Sequence, residues 1–311
     1  MREDAVPFGT GTEAILDVAV HMASTGIAVA PEVTQAASLV AHDLVGLPPA
    51  RLRQAIELVI LGPFAPQALQ WLHDAGVLAV LLPELEATVD FSQEAGRRHK
   101  DVWEHTKQVV MQAPTRSLVR WAALLHDIGK VPTRELLPAG RVTFHRHAEL
   151  GGRMFGPIAR RLGFERGDRQ RIQALILHHL RANAYEAQWT DAAVRRFDHE
   201  MGDVLADLIE LSCADVTSAR PGRRQEAARN IEALMQRIKA VRDLDARVPP
   251  LPPGVGNAIM EAFQLSPSRR VGELRKLCED AIERGDLVER QPSEYYVDYL
   301  RRQGIVGSSK Y

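Results

Sequence analysis

The stretch Trp121–Lys130, with the sequence WAALLHDIGK, decides the fold more directly than any other part of the chain. It is an apolar helical run that ends in a His126-Asp127 pair, and the glycine, the lysine and Pro132 that follow predict the end of the helix. The pair is therefore expected at the end of a buried helix, where neither an imidazole nor a carboxylate is stable without a partner. A hydrogen bond within the protein is the simplest partner, and a metal ion is the alternative.

Histidines are concentrated around this pair, and their concentration favours the metal. Of the eleven histidines in the chain, those between positions 99 and 179 are His99, His105, His126, His145, His147, His178 and His179. Histidine and aspartate together form the donor set that a borderline divalent ion requires. The sequence therefore predicts a metal site built around the pair.

The composition excludes several classes of protein. The 311 residues are 45% hydrophobic, which is an ordinary globular value, and the formal net charge of -1 gives no overall attraction to nucleic acid. Cys213 and Cys278 are far apart in sequence, which argues against a disulfide framework or a thiolate zinc site. The longest apolar run, Val77–Leu82, is too short to span a membrane. We therefore expect a soluble, cytoplasmic protein without membrane contact.

Helical periodicity dominates the rest of the chain. From Thr12 to Leu82, apolar residues recur at spacings of three and four, which predicts a series of short amphipathic helices. The segment Arg134–Arg146 is predicted as a loop with one extended piece at Arg141–Phe144, and the proline-rich segment Val248–Gly254 as a linker. Every segment that can be assigned is helical, so the predicted fold class is all-α.

Two further polar side chains fall on apolar faces of predicted helices. His105 lies in the apolar stripe between Val102 and Val109, and Asp215 occupies the core position that follows Leu211. An unpaired carboxylate at such a position would be strongly destabilising. We therefore expect His105 and Asp215 to complete a first metal site with the His126-Asp127 pair.

The sequence pattern predicts less clearly which of the next histidines lie in the interior. His147 opens a predicted helix beside the loop that follows the pair. His179 continues the apolar stripe of Leu175 and Ile176, so periodicity favours it over His178 as the interior residue, although it does not exclude His178.

The chain resembles the HD superfamily of metal-dependent phosphohydrolases, and in particular the HD module of CCA-adding and poly(A) polymerase-like tRNA nucleotidyltransferases. The segments that carry this resemblance are, in order, HKDVWEHT, WAALLHDIGKVPT, GRVTFHRHAELGG, LILHHLR, WTDAAVRRF and LSCADVTSAR. The resemblance implies an HD-domain helical bundle at residues 99–220, between neck-like and body-like helices at 1–98 and a helical tail at 221–311.

The resemblance also implies a second ion. His147 and the His178-His179 pair stand where binuclear HD enzymes place ligands for a second metal, with Asp127 bridging the two ions. The expected cofactor is one or two divalent transition metal ions, and the donor set suits Mn, Fe, Co, Ni or Zn better than Mg.

The implied activity is hydrolysis of a nucleotide or RNA 3'-end phosphoester by a phosphatase, 2'-nucleotidase or 2',3'-cyclic phosphodiesterase. Asp127 and Lys130 are the expected catalytic residues, and Lys130 and Arg220 are expected to contact the substrate phosphate. Lys130 also suits a helix C-terminus on electrostatic grounds alone.

The family's nucleotidyltransferase head is expected upstream, and this sequence has no room for it, so we do not expect nucleotide addition by the chain itself. The alternative is a tRNA-binding body that works with a separately encoded head and has a vestigial HD site.

Overall fold

The structure is a computed structural model that describes residues 11–91, 101–137, 142–217, 222–246 and 249–304. Nearly all regular structure in these ranges is α-helical, which confirms the predicted all-α fold class. The N-terminal helices are α1 (Thr12–Thr25), α2 (Pro31–Val40), α3 (Pro49–Leu61), α4 (Ala65–Asp74), α5 (Val77–Leu81) and α6 (Pro83–Glu86). The next are α7 (Val102–Gln112), α8 (Ser117–Leu125), α9 (His147–Arg161), α10 (Arg166–His178), α11 (Asp191–Met201), α12 (Leu205–Ala214) and α13 (Arg223–Ala246). The last are α14 (Val255–Phe263), α15 (Arg269–Glu283) and α16 (Ser293–Arg302).

Helix α8 is the centre of the larger part of the fold, because every residue from Val119 to Leu125 is buried. It packs against α3, α7, α10 and α12. Arg120 lies within this buried run and donates hydrogen bonds to the carbonyls of Ile60, at 2.6 Å, and Ala113, at 3.0 Å. These carbonyls lie at the C-terminal ends of α3 and α7, where helices leave backbone acceptors unpaired. The buried guanidinium therefore joins three helices.

Helix α7 begins at a capping aspartate. The Asp101 side chain accepts hydrogen bonds from the backbone N–H groups of Trp103, at 2.6 Å, and Glu104, at 3.2 Å. Such a cap satisfies donors that the first helical turn cannot pair. Asp101 thus fixes the start of the helix that carries His105 one turn later.

A small antiparallel hairpin lies between α8 and α9. Its strands are β1 (Arg134–Leu136) and β2 (Val142–Phe144), and Arg134 pairs with Phe144. The extended piece that the sequence predicts near Phe144 is present as β2. Strand β1 falls in a stretch predicted as loop, because all three of its residues are exposed and show no alternation of apolar and polar side chains.

The chain divides into two compact units, residues 1–239 and 240–311, and the boundary falls inside α13. The second unit has its own apolar core, in which Ile259, Leu274 and Tyr296 are fully buried. Helix α13 is 24 residues long and largely polar. Neither α13 nor any other helix in the described ranges has the length and apolar character needed to cross a membrane.

Candidate metal centre

The His126-Asp127 pair lies at the end of α8, before a 3-10 turn formed by Ile128–Lys130. Both side chains are buried, with exposed fractions of 0% for His126 and 2% for Asp127. The sequence-based placement of a polar pair in the interior is therefore correct. A buried imidazole and carboxylate must be satisfied by other groups, and those groups define the site.

The first group of potential ligands is His105, His126 and Asp127, whose donor atoms all lie within 4.8 Å of one another. Asp127 Oδ2 is 3.1 Å from His126 Nε2 and 3.5 Å from His105 Nε2. Asp215 Oδ1 joins them from the end of α12, at 3.0 Å from His105 Nε2 and 3.4 Å from His126 Nε2. The structure thus brings together the four residues that the sequence assigns to a first ion.

The second group is Asp127, His147 and His179, and it uses the other carboxylate oxygen. Asp127 Oδ1 lies 3.5 Å from His147 Nε2 and 3.9 Å from His179 Nε2. The two imidazole nitrogens are 3.3 Å apart. Asp127 therefore faces one group with each oxygen, which is the arrangement expected of a ligand shared by two ions.

His178 and His179 have different environments in the structure. His179 is 1% exposed and points into the second group, whereas half-buried His178 belongs to neither of the two groups found among the described residues. Arg220, predicted to contact substrate phosphate, lies outside the described residues.

Each histidine of the two groups is held by its other ring nitrogen. Nδ1 of His126, His147 and His179 lies 2.7–2.9 Å from the backbone carbonyl three residues earlier in the chain. Nδ1 of His105 lies 2.9 Å from the Thr217 hydroxyl. A carbonyl can only accept, so these three Nδ1 atoms carry protons, and each ring presents an Nε2 lone pair to the centre when it is neutral. Outer contacts of this kind orient histidine ligands in metal proteins.

Sequence reasoning did not identify these outer contacts. Any residue type supplies a backbone carbonyl, so residue identity gives no signal for the three carbonyl partners. Thr217 follows Asp215 by two positions, but a hydroxyl at that spacing is too common to predict a contact with His105.

The electrostatics of the two groups differ. Burial lowers the pKa of His179 to about 4, with a further contribution from His126, and burial also lowers the pKa of His147. Burial acts in the same direction on His126, but Asp127 and Asp215 outweigh it and raise its pKa to about 10. Burial alone would raise the pKa of both carboxyl groups, yet the adjacent histidines lower it. The second group therefore keeps two neutral imidazoles near neutral pH.

Two neutral imidazoles whose Nε2 lone pairs face each other at 3.3 Å repel unless a cation lies nearby. The donor set of buried imidazole nitrogens and carboxylate oxygens suits a borderline divalent transition metal. His105, His126, Asp127 and Asp215 could hold one ion, and Asp127, His147 and His179 another. The residues present therefore fit the metal that HD domains bind.

Lys130 lies beside this centre. Its Nζ is 2.6 Å from Asp127 Oδ2 and 5.7 Å from the centroid of the Phe144 ring. The lysine thus places a positive charge next to the carboxylate that both groups share. Its position is compatible with a substrate contact and with simple neutralisation of Asp127.

The chain is similar in sequence to known proteins. A family model for the HD domain matches residues 89–230, and one described as the probable RNA and SrmB-binding site of polymerase A matches residues 26–88. The A-adding tRNA nucleotidyltransferase of Deinococcus radiodurans is 33% identical over 279 residues, which are 86% of this chain and 63% of that relative. The CC-adding tRNA nucleotidyltransferase of Thermus thermophilus is 30% identical over 259 residues, 81% of this chain and 56% of the relative.

A shorter match is to the multifunctional CCA protein of Pseudomonas paraeruginosa, which is 38% identical over 97 residues, 30% of this chain and 24% of the relative. The chain spans less than two thirds of the length of each of these three relatives. The chain thus carries an HD domain and an RNA-binding segment of the polymerase A type, and over most of its length it is similar to tRNA nucleotidyltransferases.

Proposed function

We propose that the chain hydrolyses phosphoesters with the help of one or two divalent transition metal ions, drawn from Mn, Fe, Co, Ni and Zn. The observation that carries this proposal is the pair of ligand groups that share Asp127, one on each carboxylate oxygen. Ions bound there would lower the pKa of a water molecule and neutralise charge on the phosphoryl oxygens.

The chain's own residues support this chemistry in two ways. The Asp127 carboxylate, buried and flanked by four imidazoles, holds a fixed negative charge between the two groups. Lys130 adds a cation at 2.6 Å from that carboxylate, where it can contact a phosphoryl oxygen of a bound ester. We therefore propose Asp127 and Lys130 as catalytic residues.

We further propose that the substrate is a nucleotide or an RNA 3'-end carrying a 2',3'-cyclic phosphate, a 2'-phosphate or a terminal monophosphate. The named tRNA activities of the relatives and the RNA-binding segment at residues 26–88 support an RNA-related substrate. tRNA is the RNA partner that this relationship favours.

A second function has support of its own. The relatives are named as nucleotidyltransferases, so the chain could be a tRNA-binding body that assists a separately encoded nucleotidyltransferase head. The convergence of six potential ligands favours hydrolysis, because a vestigial site would be free to lose ligands one at a time. The two functions predict different outcomes in one experiment.

The experiment compares turnover with tRNA binding. Protein purified without chelator is analysed for metal, then assayed on 2',3'-cyclic nucleotides and 2'- and 3'-monophosphates with Mn, Ni, Co and Mg, and titrated with tRNA in gel shifts. We expect Asp127→Asn to lower kcat/KM by roughly 1,000-fold or more and Lys130→Ala by roughly 100-fold or less. The exposed Asp168→Asn variant is the matched control. Absence of turnover together with tight, salt-sensitive tRNA binding would favour the tRNA-binding body.

The division of the chain into regions and its cellular location also remain proposals. We retain the division into residues 1–98, 99–220 and 221–311 as neck-like and body-like, HD and tail regions. Both cysteines are free thiols, which suits a reducing, cytoplasmic location.

A further inference from the structure

Two neighbouring aromatic rings with a cation at each end form a row that runs from the candidate metal centre to the hairpin. Its members, in spatial order, are Lys130, Phe144, Phe91 and Arg134, and we name it the cation–aromatic strip. Lys130 Nζ lies 5.7 Å from the Phe144 ring centroid, and the two phenylalanine centroids are 6.2 Å apart. Arg134 Cζ lies 5.3 Å from the Phe91 centroid. The strip thus extends two aromatic rings beyond the lysine that contacts Asp127.

The backbones of both phenylalanines are hydrogen-bonded to residues beside the metal centre. The Phe144 carbonyl accepts the Nδ1 proton of His147 at 2.9 Å. The Phe91 carbonyl accepts a hydrogen bond from the Val102 N–H at 3.0 Å, at the start of the helix that carries His105. Because the backbone at each ring is hydrogen-bonded to a helix that carries a potential ligand, the two positions are set relative to the metal centre before a molecule binds.

Core packing does not account for these rings. Phe155 and Phe197, which do belong to the core, are 0% and 1% exposed, whereas Phe91 and Phe144 are only half-buried. The Arg134 side chain is exposed, and no carboxylate in the described ranges lies within ion-pair distance of it. Partly solvated rings flanked by cations are the combination with which proteins bind single-stranded nucleic acid, since bases stack on the rings and phosphates contact the cations.

We propose that the cation–aromatic strip binds the nucleoside of the substrate while its phosphate lies at the metal centre. The base stacks on Phe144 and Phe91, and Arg134 contacts the phosphate of the next nucleotide in an RNA end. This inference rests on the proposed function, which supplies the phosphoester that is hydrolysed at the metal centre. The inference adds a binding role for the strip. Contact with the strip would make the protein prefer a nucleotide to a small phosphoester.

Binding of non-hydrolysable ligands tests the strip separately from catalysis. The probes are the methylenephosphonate analogue of adenosine monophosphate and base-free methylphosphonate, titrated calorimetrically into the metal-loaded protein. We expect the nucleoside phosphonate to bind more tightly, and Phe144→Leu and Phe91→Leu each to weaken its binding by roughly tenfold. Methylphosphonate binding should change less than about twofold in either variant, because only the base contacts the rings.

The matched control is Phe64→Leu, which changes a partly exposed ring on another part of the chain and should leave both affinities unchanged. The two strip variants lie on separate segments, so a folding defect in one leaves the other informative. Equal affinity of the wild-type protein for the two probes would overturn the proposal, as would strip variants that bind the nucleoside phosphonate normally. Neither result depends on turnover, so the experiment distinguishes failure of this proposal from failure of the proposed hydrolysis.

Arg134 is tested with the same phosphonate extended by two nucleotides. Loss of one phosphate contact should reduce the slope of log affinity against log salt by about 0.7 for a single strand. We expect this reduction in Arg134→Gln and none in Arg166→Gln, which changes an exposed arginine on α10. An unchanged slope in Arg134→Gln would remove the phosphate contact from the proposal.

Discussion

Asp127 is the residue on which both ligand groups depend, because its two oxygens face different histidines. Oδ2 lies 3.1 Å from His126 Nε2, while Oδ1 lies 3.5 Å from His147 Nε2. The carboxylate is buried among four imidazoles, and this packing holds its plane so that each oxygen keeps to one group. A neutral histidine at the same position would present only one ring-nitrogen lone pair and could therefore serve only one group.

Adjacent histidines give a matched test at the residue scale. His179→Gln should lower the affinity for the second ion by more than the roughly 10- to 100-fold that loss of an outer-shell partner costs. His178→Gln should leave metal content unchanged, because His178 lies outside both groups. Metal content by elemental analysis after dialysis against limiting metal measures the difference. Equal loss of metal in the two variants would contradict the assignment of His179.

At the scale of elements, the sequence predicts what lies within a helix better than what lies between helices. The apolar run of α8 places His126 and Asp127 in the interior, and the stripe of α10 favours His179, since each pattern is read along one segment. That His147 and His179 approach within 3.3 Å depends on how α9 packs against α10, which no local pattern encodes. That Asp127 faces one histidine group with each oxygen could therefore be expected only from the family resemblance.

Gly129 illustrates the same limit. Its place after the His126-Asp127 pair predicts a helix stop, whereas the structure gives it a packing role. A Cβ atom at Gly129 would lie 2.1 Å from the His147 carbonyl oxygen and 2.8 Å from the Gly151 nitrogen. Absence of a side chain therefore lets the turn after α8 approach the first turn of α9, and this approach brings His147 towards Asp127.

The packing role of Gly129 gives a prediction for a pair of glycines. Gly129→Ala should lower the free energy of unfolding by about 1–3 kcal/mol or more, because the contact is with backbone that cannot move aside easily. It should also weaken metal binding, since it separates His147 from Asp127. Gly167→Ala, in the exposed first turn of α10 with nothing within 4 Å, should stabilise by up to about 1 kcal/mol. Urea denaturation measures both, and a tolerated Gly129→Ala would show that the turn can shift.

At the scale of the whole molecule, the two compact units should respond differently to metal. All proposed ligands lie in the unit formed by residues 1–239, and the other unit has a core of its own. A ligand at 100 times its Kd stabilises the state that binds it by about 2.7 kcal/mol. Metal should therefore raise the unfolding temperature of the first unit. The unfolding temperature of residues 240–311 should not change.

The pH dependence of stability should reverse between the metal-free and metal-loaded protein. Without metal, the pKa of His126 is raised from 6.5 to about 10, so its stabilising contribution is complete below pH 6.5 and is lost as the pH rises towards 10. The pKa of His179 is lowered from 6.5 to about 4, so its contribution is present above pH 6.5 and is lost as the pH falls towards 4. Together the two histidines give the metal-free protein its greatest stability near pH 6.5.

Bound metal competes with protons for the same nitrogen atoms, so the loaded protein should gain stability as the pH rises above 6.5. Thermal unfolding followed by circular dichroism between about pH 5 and pH 9, with chelator and with excess Mn or Ni, measures both curves. Parallel curves above pH 6.5 would show that metal does not bind at these histidines.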